Sequence, residues 1–228
     1  MVIQLIEVKE LFEDIYAYDN GRVRAFLIKG ENEDLLIDTL FKEDKLIPMI
    51  KREDRSLKVV LTHSDRDHIG GLDEEVKECY IHLYDAADIK TTKVITIKEG
   101  DHISCGRYDF IVIHIPGHTK GSIALFDKEK GILISGDSIQ KGGPIYMFGE
   151  HRDLDAYIAS LKKLKNIKND IKVILPSHHD CPIDPSYIEK DLEDILALKE
   201  GRLRHEKTPN MPCDTYHGTY VDYYYIEN

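Results

Sequence analysis

Apolar residues in this chain fall in short runs, each closed by a polar or glycine-bearing turn. The clearest are Asp34-Leu35-Leu36-Ile37, Lys58-Val59-Val60-Leu61-Thr62, Phe110-Ile111-Val112-Ile113-His114-Ile115, Gly131-Ile132-Leu133-Ile134-Ser135 and Ile171-Lys172-Val173-Ile174-Leu175. Short, β-branched and bounded, they read as buried strands. The first ~40 residues read as a meander, with Asp19-Asn20-Gly21 a hairpin signal between Ile15-Tyr16-Ala17 and the run from Val23 to Ile28. Two later segments change period. Leu154, Tyr157, Ile158, Leu161 and Leu164 recur at helical spacing behind a capping Asp153. Asp184-Pro185 resembles a cap with proline at the first helical position, opening a helix through Ile188, Leu192 and Ile195. Strands then helices, twice over, predict a mixed α/β (α+β) chain with two sheets face to face and helices outside.

The polar residues between these runs are not scattered. Each of the five runs delivers a histidine or an acid just past its end. Asp38 follows the first. Thr62-His63-Ser64-Asp65-Arg66-Asp67-His68-Ile69-Gly70-Gly71 follows the second, with four potential metal ligands in six positions. His118, Asp137 and His178 follow the others. Imidazoles and carboxylates together suit zinc, iron or manganese, and strand ends that converge on one rim would gather them into one pocket.

This order and spacing resemble the metallo-β-lactamase superfamily, whose ordered motifs are Asp, HxHxDH, His, Asp and His. The correspondence runs through Asp38, the segment His63 to His68, His118, Asp137 and His178, and spans nearly the whole chain. The resemblance implies a four-layer αββα sandwich, a single domain over 1–228, with the site at one edge. It implies His63, Asp65 and His118 on a first metal, Asp67, His68 and His178 on a second, and Asp137 bridging them. Asp38 resembles the carboxylate that orients a ligand histidine. Asp65 stands where the family has its second histidine. Two divalent ions are implied, with zinc the first expectation; the negative charge that Asp65 adds makes the site harder and brings in iron or manganese as alternatives. The flavodiiron branch also carries a carboxylate at this position.

Composition narrows the partners. A net charge of −11 argues against nucleic acid and favours a small-molecule substrate. No run approaches the ~20 apolar residues of a membrane span, and no signal-peptide pattern opens the chain. Cys79, Cys105, Cys181 and Cys213 show no CxxC spacing and no disulfide framework, so a cytoplasmic location is the expectation.

Other residues carry weaker expectations. His114 reads as a core or strand-face histidine, and His82, His102, His205 and His217 lack ligand neighbours. His179 lies beside a ligand, but adjacent side chains in extended chain point apart, so it is expected to support a ligand from behind or to line the pocket rim rather than to bind metal. Cys181 reads as a plain buried thiol. The segment from Gln140 to Glu150, rich in glycine, is expected to be a loop passing over the metals, as substrate contact or as packed cover. Its Tyr146 is a candidate oxyanion donor. The tyrosines between Tyr216 and Tyr225 suggest one half-buried terminal strand, with an aromatic substrate wall as the alternative.

The reaction implied is hydrolysis of an ester, lactone, thioester or phosphoester by a metal-held hydroxide oriented by Asp67. A diiron redox or oxygen-binding protein, or an inactive metal-bound module, are the alternatives.

Overall fold

The structure is a computed structural model that describes residues 5–227. The meander forms as four antiparallel strands, β1 (Glu7–Phe12), β2 (Ile15–Asp19), β3 (Arg24–Ile28) and β4 (Glu33–Ile37). At the expected hairpin, the Asn20 side-chain oxygen accepts from the backbone N–H of Arg22 and Val23, and Gly21 takes φ 80. A side chain that bonds its own backbone makes this turn locally determined. The strands β5 (Ser56–Val60), β6 (Glu78–His82) and β7 (Lys93–Ile97) then extend the sheet in parallel to β4. Short helices α1 (Leu46–Ile50) and α2 (Arg66–Ile69) lie in the crossovers.

The second sheet runs antiparallel through β8 (His102–Cys105), β9 (Tyr108–His114), β10 (Ile123–Asp127) and β11 (Ile132–Gly136). The chain then passes through β12 (Pro144–Met147) and α3 (Leu154–Ile167), and returns as β13 (Val173–Pro176), parallel to β11. Period-two alternation sorts the side chains. Val112, Leu125 and Ile134 meet Phe26, Ile28, Ile37 and Val60 between the sheets. Ile113, Ala124 and Leu133 face the other way, onto Ile158, Leu161 and Leu164 of α3 and Ile188, Leu192 and Ile195 of α4 (Tyr187–Lys199). A third apolar layer lies outside the first sheet, around Leu46 and Ile47 of α1. This is the αββα arrangement, with its longer helices on one side. Asp153 caps α3 as expected, accepting from Ala156 N at 2.9 Å.

Three expectations change. The helix expected to open at Asp184-Pro185 starts at Tyr187. Asp184 Oδ1 accepts from Ser186 N at 2.8 Å, and its carbonyl accepts from Tyr187 N at 3.1 Å. That turn uses the aspartate before the helix begins. The segment from Gln140 to Glu150 is not all loop, because Pro144–Met147 is strand β12, parallel to β16 (Asp222–Tyr225). Proline is tolerated at a strand's first position, and the partner strand is too distant in sequence to signal locally. The tyrosine-rich terminus makes two strands, β15 (Asp214–His217) and β16, rather than one. Asp194 shapes the turn between them by accepting from the backbone N–H of Thr219, Tyr220 and Val221. With β14 (Arg204–Lys207) these strands form an additional four-stranded sheet, order β12-β16-β15-β14. No helix among the described residues is long and apolar enough to cross a membrane.

Candidate metal centre

Topology explains why residues so far apart in sequence meet. β4 and β5 are parallel, β11 and β13 are parallel, and β9 and β11 are both antiparallel to β10. The C-terminal ends of these ligand-bearing strands therefore share one rim of each sheet. Backbone hydrogen bonds join the two rims, from Ile123 N to Thr62 O at 2.9 Å and from Arg24 N to Ser177 O at 2.8 Å.

Local backbone sorts the dense motif. His63 and Asp65 are two apart in extended chain, so both point to one side. The chain then turns into α2, with His68 N donating to Asp65 O at 2.9 Å, and this swings Asp67 and His68 to the adjoining space. Gly71 permits the turn to pack closely, since a Cβ there would lie 2.1 Å from Thr39 O.

The result is two adjoining groups whose donor atoms lie within 4.8 Å of one another in each: His63, Asp65, His118 and Asp137, then Asp67, His68 and His178. Asp137 reaches both. Its Oδ2 is 3.4 Å from His118 Nε2 and 3.1 Å from His178 Nε2, and its Oδ1 is 3.2 Å from His68 Nε2. The outward nitrogens of three rings are occupied: His63 Nδ1 by Thr62 Oγ1 at 3.0 Å, His68 Nδ1 by Asp38 Oδ2 at 2.8 Å, and His178 Nδ1 by Arg22 O at 2.6 Å. Their Nε2 atoms therefore face inward. His63 Nε2, His68 Nε2 and Asp137 Oδ1 are buried and none makes a well-aligned hydrogen bond, although the last two approach to 3.2 Å. Buried polar atoms without partners are costly, and imidazole and carboxylate are the donors that divalent transition ions accept. The donor set fits such ions.

Electrostatics agree. Burial favours a neutral ring at His178, yet Asp137 and Asp67 outweigh it and push its pKa up to about 10. Burial also opposes charge on His68, but Asp137, Asp38 and Asp67 hold it well above the usual imidazole range. Burial likewise opposes charge on Asp137, and His178, His68 and His63 still hold it well below the usual carboxylate range. The cluster attracts positive charge. Because a metal takes the neutral ring, uptake at pH 7 is expected to release protons from His68 and His178, and affinity is expected to rise with pH up to about 10. Titrating metal into the metal-free protein in weakly buffered indicator dye checks this. Uptake without acidification would contradict it.

Two residues beyond the sequence reading shape the site. Buried Asp85 accepts from Ser64 N at 3.0 Å, Thr119 Oγ1 at 2.6 Å and Gly121 N at 2.7 Å, tying together the loops that carry His63 and His118. Its signal in sequence was nil, because it sits in an unremarkable turn after β6. Arg152 Nη1 donates to Asp65 Oδ1 at 3.2 Å, and Nη2 bonds to Asp65 Oδ2.

A cavity of about 710 Å³ opens onto the cluster, lined by Asp65, Asp67, Asp137 and His178 at its floor. Phe41, Pro144, Tyr146 and Tyr224 give it an apolar wall, and Arg22, Arg24 and Arg66 stand around it. Tyr146 packs edge-on against Tyr224, with ring centroids 4.9 Å apart, and remains 43% exposed. His179 lines the same cavity at φ 55, its ring against Gly143, while its carbonyl accepts from Arg24. Burial pushes the Cys181 thiol up to about 11. His82 and His114 stack on each other, centroids 3.9 Å apart, and neither belongs to the two donor groups.

A family model described as the metallo-beta-lactamase superfamily matches residues 18–178. The human acyl-coenzyme A thioesterase MBLAC2 is 27% identical over 209 residues, covering 71% of this chain and 75% of that one. A hydroxyacylglutathione hydrolase of Vibrio cholerae is 26% identical over 208 residues, covering 88% of this chain and 80% of the other. Among solved structures, a metallo-beta-lactamase from Pontibacter korlensis superposes with a TM-score of 0.73 at 20% identity, covering 84% of this chain and 99% of that chain.

Proposed function

Since the chain belongs to the metallo-beta-lactamase superfamily, and on that premise is a metal-dependent hydrolase, we propose that it holds two divalent ions and hydrolyses a thioester with an anionic thiol portion. The observation that carries the two-ion reading is the pairing of donor groups about Asp137, whose two oxygens reach histidines of both. His63, Asp65 and His118 would hold the first ion, Asp67, His68 and His178 the second, with Asp137 between. Ions bound there supply a water that ionises near neutral pH and polarise the scissile carbonyl.

The chain's own residues do the rest. Asp67 lines the cavity with Oδ2 3.4 Å from His178 Nε2, which supports a role for its carboxylate in orienting the attacking water and receiving its proton. The apolar wall of Phe41, Tyr146 and Tyr224 suits an acyl chain. The Tyr146 hydroxyl is the candidate donor to the carbonyl oxygen as charge develops on it. Exposed Arg22 and Arg66 suit carboxylates or phosphates on the thiol portion, and the Arg22 guanidinium is already held 4.4 Å over the Phe41 ring. The named activities of MBLAC2 and of the hydroxyacylglutathione hydrolase, both on anionic thioesters, point the same way.

A panel tests this. Coenzyme A and glutathione thioesters are expected to turn over, with free thiol as the readout, faster than an uncharged thioester, a lactone or a phosphodiester. Chelator is expected to abolish the rate and zinc to restore it. Preference for the lactone or the phosphodiester would reject the thioester assignment. Bound iron that cycles with oxygen, without hydrolysis of any panel member, would put a diiron redox protein in its place.

A further inference from the structure

Arg152 stands between β12 and the Asp153 cap of α3, and no ligand pattern marks it in sequence. Its side chain is 11% exposed and lies against the first donor group. The guanidinium meets Asp65 as a two-pronged fork, Nη1 to Oδ1 at 3.2 Å and Nη2 to Oδ2. Nη2 is also 3.4 Å from His118 Nε2, and Nε donates to Tyr146 O at 3.2 Å.

This placement raises a charge problem that only the pair resolves. A guanidinium fixed beside a metal ligand repels a bound cation. An aspartate in place of an imidazole adds a negative charge that hardens the position. Together the two charges cancel, and a bidentate fork also fixes the carboxylate's plane. Asp65 Oδ2 is thereby held 3.1 Å from His118 Nε2 and 3.6 Å from His63 Nε2, where a shared ion would sit.

We propose that Arg152 is a positioning residue for the first metal position, and that Arg152 and Asp65 form one charge-compensated unit standing in for an imidazole ligand. The inference rests on the reading that this position takes an ion. It goes beyond that reading by making zinc the expected occupant despite the carboxylate, since the excess charge that would favour harder ions is offset.

A double-mutant cycle on zinc affinity tests the unit, without using turnover. Zinc bound per chain is measured across a buffered free-zinc series for the unaltered protein, Asp65→His, Arg152→Met and the double variant. Asp65→His leaves the guanidinium uncompensated and is expected to weaken first-position binding by about tenfold to a hundredfold, the range for lost supporting contacts. Adding Arg152→Met to Asp65→His is expected to recover affinity to within about threefold of the unaltered protein. Arg152→Met alone is expected to give no gain in zinc affinity, and to raise manganese retention relative to zinc. Asp65→Asn, the same shape without the charge, provides the same comparison if Asp65→His fails to fold.

An effect of Arg152→Met that is the same in both backgrounds would overturn the unit and leave Arg152 as a tether for the Tyr146 segment. An unaltered protein that binds one zinc or none would instead remove the two-ion reading, and this inference with it.

Discussion

Asp67→Asn is expected to lower hydrolysis by about a thousandfold or more, the upper range for loss of a general base, with the fold intact. Asparagine keeps the shape but removes the charge that faces His178 Nε2 at 3.4 Å and His68 Nε2 at 3.8 Å. It also lacks a group able to take the water's proton. Burial opposes ionisation of Asp67, but His68 and His178 outweigh it and keep the carboxyl below its ordinary range, so the group that asparagine replaces is charged at neutral pH. Tyr146→Phe removes one hydroxyl from a ring that is 43% exposed, and is expected to cost about tenfold, less than the loss of a buried oxyanion donor. Measuring kcat/KM for both variants on one thioester settles the order, whichever thioester is natural. Full activity in Asp67→Asn would place water activation elsewhere.

Asp38→Ala is expected to destabilise the metal-free protein by about 3–5 kcal/mol, the range for breaking a buried charged network. Asp38 is fully buried at φ 63, a left-handed backbone that aspartate tolerates better than most residues. Its Oδ1 accepts from Thr62 N at 2.8 Å, and Oδ2 from Thr62 Oγ1 at 2.7 Å and His68 Nδ1 at 2.8 Å. Alanine leaves all three donors without that acceptor inside the protein, each costing about 1–3 kcal/mol if unrelieved. Zinc affinity should fall as well, because His68 loses the bond that fixes its ring. Denaturant unfolding of the metal-free form separates the two effects. A loss below about 1 kcal/mol, smaller than one orphaned buried donor, would mean that water or a rearranged side chain replaces the carboxylate.

What the sequence made legible follows from how local each signal is. Strands β4, β5, β9, β11 and β13 announced themselves because their apolar runs are bounded and β-branched. The seven donor residues stood out because they sit at the exits of those runs, and the structure brings all seven together. Asp153 could be read as a cap because its bond to Ala156 N spans three residues. β12 could not, because its partner β16 comes from the far end of the chain and its own residues are few. Asp85 and Arg152 escaped for the same reason. Each acts on loops distant in sequence, and a single charged residue in a turn carries no period or motif to find.

The two backbone hydrogen bonds that close the rim, Ile123 to Thr62 and Arg24 to Ser177, have a kinetic consequence. They link residues far apart along the chain, and the donors themselves run from His63 to His178. Contacts of such long separation form late, after loop closure has been overcome. Neither sheet alone carries both donor groups, since His63 to His68 leave the first sheet while His118, Asp137 and His178 leave the second. An ion in solution therefore finds no complete binding site on a half-folded chain. The sheets are therefore expected to dock first and metal to load afterwards through the open cavity, so refolding of the apoprotein should proceed at the same rate with or without zinc, and zinc should act by slowing the unfolding of the finished protein.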